Sequence, residues 1–317
     1  MRVSFPLVLG LAAVLGVGAY WLWTPDRRED VLHAKYLRAP SDLIAVSGIR
    51  LHVRDDGPRG APAIVMLHGF GSSLHTFESW AEALKSEYRV VRFDVPGTGL
   101  SGPDPDGDYS DARTLEILAA LMDVLHIDRA TLVGNSMGGR FAWLFAAKFP
   151  GRVDRLVLIA PDGFESHGME YGKTPEVPAM VQLMRYVLPK PLVRMNLVPA
   201  YADPEKLTDA TLDRYYDLLL APGARAATIA RMGQVLLQDP APILRTIAAP
   251  TLLLWGREDR MIPVSNAMDY AKNLPNSTTV VLPDLGHVPF EEDPERSLVP
   301  VRAFLAGRGQ NGSAASG

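Results

Sequence analysis

The sequence predicts an α/β protein: a mostly parallel sheet flanked by helices, a helical cap insertion and an N-terminal transmembrane helix. Three observations lead there. Short, mostly apolar runs at Ala63–Leu67, Arg89–Phe93, Ala130–Val133, Leu156–Ile159, Pro250–Gly256 and Thr278–Leu282 alternate with helical stretches. Runs of this length read as buried strands, and strands alternating with helices pair in parallel through crossovers. The alternation stops over residues 163–243, where helical periodicity is broken by Pro175, Pro178, Pro189 and Pro191 and no strand is legible. Finally, Phe5 through Trp23 carries no charge.

Taken in order, residues 1–24 read as a membrane anchor. A helix over that uncharged run reaches roughly 28 Å, close to the thickness of a hydrocarbon core. Tyr20, Trp21 and Trp23 would sit at headgroup level. A cleaved signal peptide ending near Val17-Gly18-Ala19 is the rival reading, but the apolar stretch continues past it and an uncleaved anchor is favoured. Ala12 and Gly16 form a small-x-x-x-small pair that would support a homodimer through the anchor. Residues 25–40 predict a short juxtamembrane helix, with Thr24 as N-cap and Pro25 at its first position. Its face of Val31, Leu32, Lys35 and Tyr36 suits lipid headgroups or the folded domain.

Residues 41–162 and 244–306 form the two parts of the core domain, and 163–243 the cap between them. Helices are expected over Phe77–Glu87, Thr114–Leu125, Arg140–Lys148, Asn266–Asn273 and Pro294–Leu305, the last with Asp293 as N-cap. Residues 307–317, rich in Gly, Ser and Ala, read as a disordered tail. The net charge of −4 over 317 residues gives no sign of nucleic-acid binding.

The chemistry concentrates at Gly134-Asn135-Ser136-Met137-Gly138. This is Gly-x-Ser-x-Gly between a strand and a helix, the setting of a nucleophile elbow. The turn is tight enough that only glycine fits two residues either side of the serine. The serine oxygen stands exposed at the positive end of the following helix. A serine needs a base, and the base an orienting group. Past the strand that breaks at Gly256 comes an acid, within Arg257-Glu258-Asp259. Past the next strand comes Gly286-His287.

In this order the chain resembles the α/β-hydrolase superfamily over residues 42–306. The likeness rests on His68-Gly69-Phe70-Gly71, Asp94-Val95-Pro96-Gly97-Thr98-Gly99-Leu100-Ser101, the serine pentapeptide, Gly256-Arg257-Glu258-Asp259 and Gly286-His287. It implies Ser136 as nucleophile, His287 as general base and then acid, and Asp259 as the orienting carboxylate. Glu258 is the second choice of acid, and Asp162, just past Leu156–Ile159, the third. The oxyanion hole would be the backbone N–H groups of Phe70 and Met137. His68 beside that loop reads as a support rather than a second base.

Other patterns carry less. Gly97-Thr98-Gly99-Leu100-Ser101-Gly102 fits a dinucleotide fingerprint, but Pro103, Pro105 and Gly107 follow, so no helix opens there to receive a pyrophosphate. With no cysteine and no paired histidines among His33, His52, His75, His126 and His167, no metal site is expected, and no cofactor. In the cap, Met180, Met184 and Met195 lie in apolar stretches that would adapt to acyl chains or pack the cap on the core.

The expected function is hydrolysis of esters with apolar acyl chains, lipids and phospholipids included, by a serine hydrolase anchored in a membrane. The resemblance extends to membrane-anchored bacterial esterase and phospholipase A members, in length, anchor and triad placement. It implies an inner-membrane protein whose catalytic domain faces the periplasm. Arg27, Arg28, Lys35 and Arg38 after the anchor would by charge alone keep that side cytoplasmic. Two alternatives stand beside it: a general esterase of soluble substrates, and hydrolysis of carbon–carbon bonds in ring-cleavage products, since Gly134–Gly139 also resembles that group; the latter's usual His-Gly-x-Gly-Pro-Gly loop is replaced here by Gly71-Ser72-Ser73.

Overall fold

Alternation of side chains along the strands divides the core in two. The computed structural model describes residues 22–165 and 170–307. In chain order it contains α1 (Glu29–Tyr36), β1 (Leu43–Val46), β2 (Ile49–Asp56), β3 (Ala63–Leu67), α2 (Glu78–Leu84), β4 (Arg89–Phe93), α3 (Asp111–Val124), β5 (Ala130–Asn135), α4 (Met137–Lys148) and β6 (Val153–Ile159). The cap follows with α5 (Ala179–Gln182), α6 (Lys190–Leu197), α7 (Asp209–Leu219) and α8 (Ala224–Met232). Then come α9 (Ala241–Leu244), β7 (Thr251–Gly256), α10 (Asn266–Asn273), β8 (Ser277–Leu282), α11 (Pro289–Glu292) and α12 (Pro294–Leu305). The sheet order is β1-β2-β4-β3-β5-β6-β7-β8. Among the described residues only the β1–β2 and β2–β4 pairings are antiparallel.

Val65, Leu67, Val91, Phe93 and Leu132 face one side, where they pack with α3, α4 and Tyr270 of α10. Ile64, Met66, Val90, Val133, Val157 and Ile159 face the other, with Phe77, Trp80, Phe290 and the inner side of the cap. Strands buried on both faces are what helices on both sides of a parallel sheet produce. Trp80 and Phe290 meet edge-on at 5.8 Å, and the Trp80 indole N–H donates to Pro294 O at 3.2 Å, so α2 is fixed to the C-terminal helices.

The helices over Asn266–Asn273 and Pro294–Leu305 have the limits their patterns predict, and the Asp293 side chain caps the latter by accepting from Arg296 N–H. Others differ for local reasons. The helix after Ser136 opens at Met137, because the elbow passes directly into it. Helix α3 opens at Asp111, capped by the Ser110 side chain. Helix α2 stops at Leu84, before the turn into β4.

The juxtamembrane prediction is corrected. Helix α1 starts at Glu29, not Pro25, and Thr24 does not cap it. Thr24 instead lies against the cap: its N–H donates to Tyr186 O at 2.8 Å and its Oγ1 accepts from Leu188 N–H at 3.1 Å. Leu32 and Tyr36 are buried with Leu100, Leu218, Ala221 and Ala224, whereas Val31 is exposed. The segment therefore packs on the folded domain. The predicted anchor, apart from Leu22, Trp23 and Thr24, lies outside the described residues, as do its Ala12–Gly16 pair and the tail beyond Gly307. Among the described residues no helix is long and apolar enough to cross a membrane.

Candidate active site

Strand β5 enters the elbow and α4 leaves it. Ser136 has φ 53° and ψ −121°, a conformation that is strained for any residue with a Cβ. The surroundings hold it there. Ser136 N–H donates to Ile159 O, and Ser136 O accepts from the N–H groups of Arg140 and Asp162, each at 3.0 Å. The flanking glycines are sterically required. A Cβ on Gly134 would lie 2.3 Å from Gly138 O, and one on Gly138 would lie 2.1 Å from Leu67 O.

His287 and Asp259 reach the same edge of the sheet from the loops after β8 and β7. Both are buried, and His287 Nδ1 lies 2.7 Å from Asp259 Oδ2. An ionised carboxylate only accepts, so Nδ1 carries the proton and Nε2 keeps its lone pair. Asp259 Oδ1 accepts from Met261 N–H at 2.8 Å and Ile262 N–H at 2.9 Å, which fixes the carboxylate plane. The other two acids are placed elsewhere. Glu258 is exposed, and Asp162 pairs with Arg140 at 2.8 Å. Among the described residues no hydrogen bond joins Ser136 Oγ to His287; such contacts often tighten only when substrate is bound.

Met137 is the first residue of α4, so its N–H has no acceptor inside the helix. The Gly69–Phe70 loop comes close to the serine: a Cβ on Gly69 would lie 3.3 Å from Ser136 Cβ. His68 holds this loop. Its Nδ1 is 2.8 Å from Gly69 O and its Nε2 accepts from Val95 N–H at 3.1 Å, which leaves neither nitrogen for proton transfer. Burial lowers its pKa, so the ring is neutral. The glycine-rich loop after β4 wraps Asp94, which accepts from Leu74 N–H, Leu100 N–H and His52. A Cβ on Gly99 would lie 2.0 Å from Asp94 Oδ2, so these glycines serve a carboxylate within the fold.

A cavity of ≈ 320 Å³ opens on Ser136. From the core it is lined by Phe70, Met137, Arg140 and Asp162, and from the cap side by Pro175, Glu176, Val177, Met232 and Val235. Arg140 is buried between Asp162 and Asp111, at 2.8 and 3.1 Å. Burial disfavours its charge, yet the two carboxylates hold its pKa above the ordinary arginine value. Met180, Met184 and Met195 are not brought to this cavity. Met180 and Met195 point outward, 79% and 63% exposed, and Met184 packs against the cap-side core. Met232, which follows Arg231 at the end of α8, takes that place. Buried Arg231 donates to Pro96 O at 2.8 Å and Gln234 accepts from Tyr109 N–H at 2.7 Å, which fixes this end of the cap to the core.

Asn135 was not singled out in the sequence. Its Nδ2 donates to Ile159 O at 3.1 Å and to His287 O at 3.0 Å. The only signal would have been its place beside the serine. Arg140 had a clearer one, a lone charge in the apolar run Gly139–Ala147.

The sequence model of the α/β-hydrolase fold matches residues 62–294. The chain is an α/β hydrolase. Among the relatives of this hydrolase is the 2-hydroxymuconate semialdehyde hydrolase of Pseudomonas putida, 30% identical over 277 residues, 83% of this chain and 93% of that one. A 2-hydroxy-6-oxononadienedioate/2-hydroxy-6-oxononatrienedioate hydrolase of Paraburkholderia xenovorans is 33% identical over 278 residues, 81% and 91% of the two chains. The crystal structure of a membrane phospholipase A, described as a bacterial virulence factor, superposes with a TM-score of 0.73 at 26% identity. That match covers 98% of this hydrolase and 100% of the other chain.

Proposed function

We propose that this hydrolase cleaves carboxylic esters of apolar acyl chains, phospholipids among them, through an acyl-enzyme on Ser136. It would do so while anchored by residues 5–23 in a bacterial inner membrane, with the catalytic domain on the periplasmic side and the anchor available for pairing with a second copy. The observation that carries the substrate class is the cavity at Ser136. Its walls are mostly apolar, and Arg140, the one cation lining it among the described residues, is already neutralised by Asp162 and Asp111. Such a cavity suits an acyl chain and offers no free positive charge to a substrate carboxylate. The near full-length match to a membrane phospholipase A supports the same reading.

In this mechanism Ser136 Oγ attacks the ester carbonyl carbon while His287 Nε2 takes the hydroxyl proton. The oxyanion that forms is met by the N–H groups of Met137 and Phe70. When the tetrahedral species collapses, the bond to the alcohol oxygen breaks and His287 returns the proton to that oxygen. Water, deprotonated by His287, then attacks the acyl-enzyme, and the fatty acid leaves with Ser136 restored. Asp259 keeps the histidine in the required tautomer and stabilises its cationic form.

The second reading, carbon–carbon hydrolysis of a ring-cleavage product, is favoured by the two relatives at 30% and 33% identity. One experiment separates them. Full-length protein and Ser136→Ala are assayed for acyl release from phospholipid vesicles and short-chain esters, and for turnover of a vinylogous diketo acid. Ser136-dependent release from vesicles supports the proposal, and faster turnover of the diketo acid than of every ester overturns it.

A further inference from the structure

We propose that Glu291 is a positioning residue that sets the Phe70 loop against the histidine loop and the cap; the inference rests on the Ser136 acyl-transfer reading above. Glu291 lies on α11, which begins two residues after His287. Its side chain is only 8% exposed. Burying a carboxylate is costly unless its acceptor sites are filled. Here they are. Oε1 accepts from Thr76 Oγ1 at 2.7 Å and from the Arg214 guanidinium. Oε2 accepts from Tyr201 OH at 2.6 Å and Tyr215 OH at 3.2 Å.

The donors come from separate parts of the chain. Tyr201 and Arg214–Tyr215 belong to the cap, and Thr76 to the turn after the Phe70 loop. Tyr215 extends the chain of bonds, because its hydroxyl accepts from Ser72 Oγ at 3.2 Å. Ser72 in turn closes the loop on itself, its N–H donating to Gly69 O at 3.2 Å. The histidine side is tied to the same cap segment, since His287 N–H donates to Ala200 O at 2.8 Å. A partner for Arg214 alone would need one bond from one element. This carboxylate joins the cap and the turn that follows the Phe70 loop to α11, the helix that leaves the histidine loop. Burial, reinforced by the charge of Glu291, pushes Tyr215 up to about 12 and raises Tyr201 as well, so both hydroxyls stay donors across the working range.

An oxyanion donor acts only if it is held to about 0.5 Å. Loosening Ser72, two residues past Phe70, should therefore slow the chemical step and leave ground-state binding alone. The test compares full-length Ser72→Ala, Tyr215→Phe and Glu291→Gln in detergent. The readouts are kcat and KM on a short-chain ester, the rate of Ser136 labelling by a fluorophosphonate, and Tm. The expected result is a fall in kcat and labelling rate of about 10-fold with KM changed less than about two-fold. The Tyr215→Phe/Glu291→Gln double variant should be no slower than Glu291→Gln alone, because both act through one bond network. Unchanged kcat in folded Ser72→Ala and Tyr215→Phe would overturn the proposal. So would full recovery of kcat when Arg214→Met is added to Glu291→Gln, which would make Glu291 a counter-charge only. Labelling reports the oxyanion geometry whatever the natural substrate is. Slowed labelling without any ester turnover in the parent protein would sink the ester reading and keep this one.

Discussion

The side-chain amide of Asn135 donates to the main-chain carbonyl of His287 at 3.0 Å and so joins the elbow to the histidine loop. The same nitrogen holds Ile159 O at 3.1 Å, on the neighbouring strand. Asn135→Ala removes a donor from two buried carbonyls. Ile159 O keeps the Ser136 N–H, so His287 O is the acceptor left unpaired, and the change should cost about 2 kcal/mol, the usual penalty for one such buried group. Urea unfolding checks the stability, and ester turnover should fall in kcat more than in KM.

The three acids have different surroundings, so their variants separate cleanly. Asp259→Asn presents an amide to His287 Nδ1 and favours the wrong tautomer; kcat should fall roughly 10³-fold or more. Glu258→Gln, at an exposed position, should leave kcat within about two-fold. Asp162→Asn should weaken the Arg140 pair and act on stability first. Steady-state kinetics with thermal melts distinguishes the three.

Glycines at the elbow should not tolerate a methyl group. Gly138→Ala places a Cβ 2.1 Å from a backbone oxygen, and accumulation of folded protein should collapse. Gly151→Ala, where nothing lies within 4 Å, should change stability by less than about 0.5 kcal/mol. Soluble yield and unfolding midpoints compare them.

Acid should destabilise the fold in two stages. Burial lowers the pKa of both His68 and His75, so the unfolded chain binds their protons first. Stability should fall as pH drops below about 6.5, by at most about 1.4 kcal/mol per pH unit for each histidine. Burial alone would raise Asp94, but the charge and hydrogen bond of His52 hold it at about 2. Its contribution is present above the ordinary aspartate range and is lost as pH falls towards 2. Urea midpoints between pH 8 and 3 trace both stages, and His75→Gln should flatten the first.

Substrate preference should follow the cavity rather than the methionine content of the cap. Met232→Ala enlarges the space at Ser136 and should shift preference towards bulkier acyl groups. Met180→Ala and Met195→Ala, at exposed positions, should leave kcat/KM within about two-fold. A chain-length series of esters checks all three.

What the sequence determined by itself was local. Ala63–Leu67 and Arg89–Phe93 are strands over the limits their apolar runs mark, and Asn266–Asn273 is a helix over the limits of its pattern, because period and propensity act within a few residues. The glycines around Ser136 announced a tight turn because backbone sterics need no partner from elsewhere. The tertiary structure alone decided which cap side chains face the serine. Met180 and Met232 are both apolar cap residues. Met232 lines the cavity beside Arg231 and Gln234, which are bonded to the Pro96–Tyr109 loop, while Met180 is left outside. Thr24 could cap a helix, yet the cap carbonyl and N–H of Tyr186 and Leu188 claim it instead. Arg140 found its two carboxylates on segments 29 and 22 residues away. Cavity walls and buried ion pairs arise where distant segments meet, and a pattern read a few residues at a time does not contain those meetings.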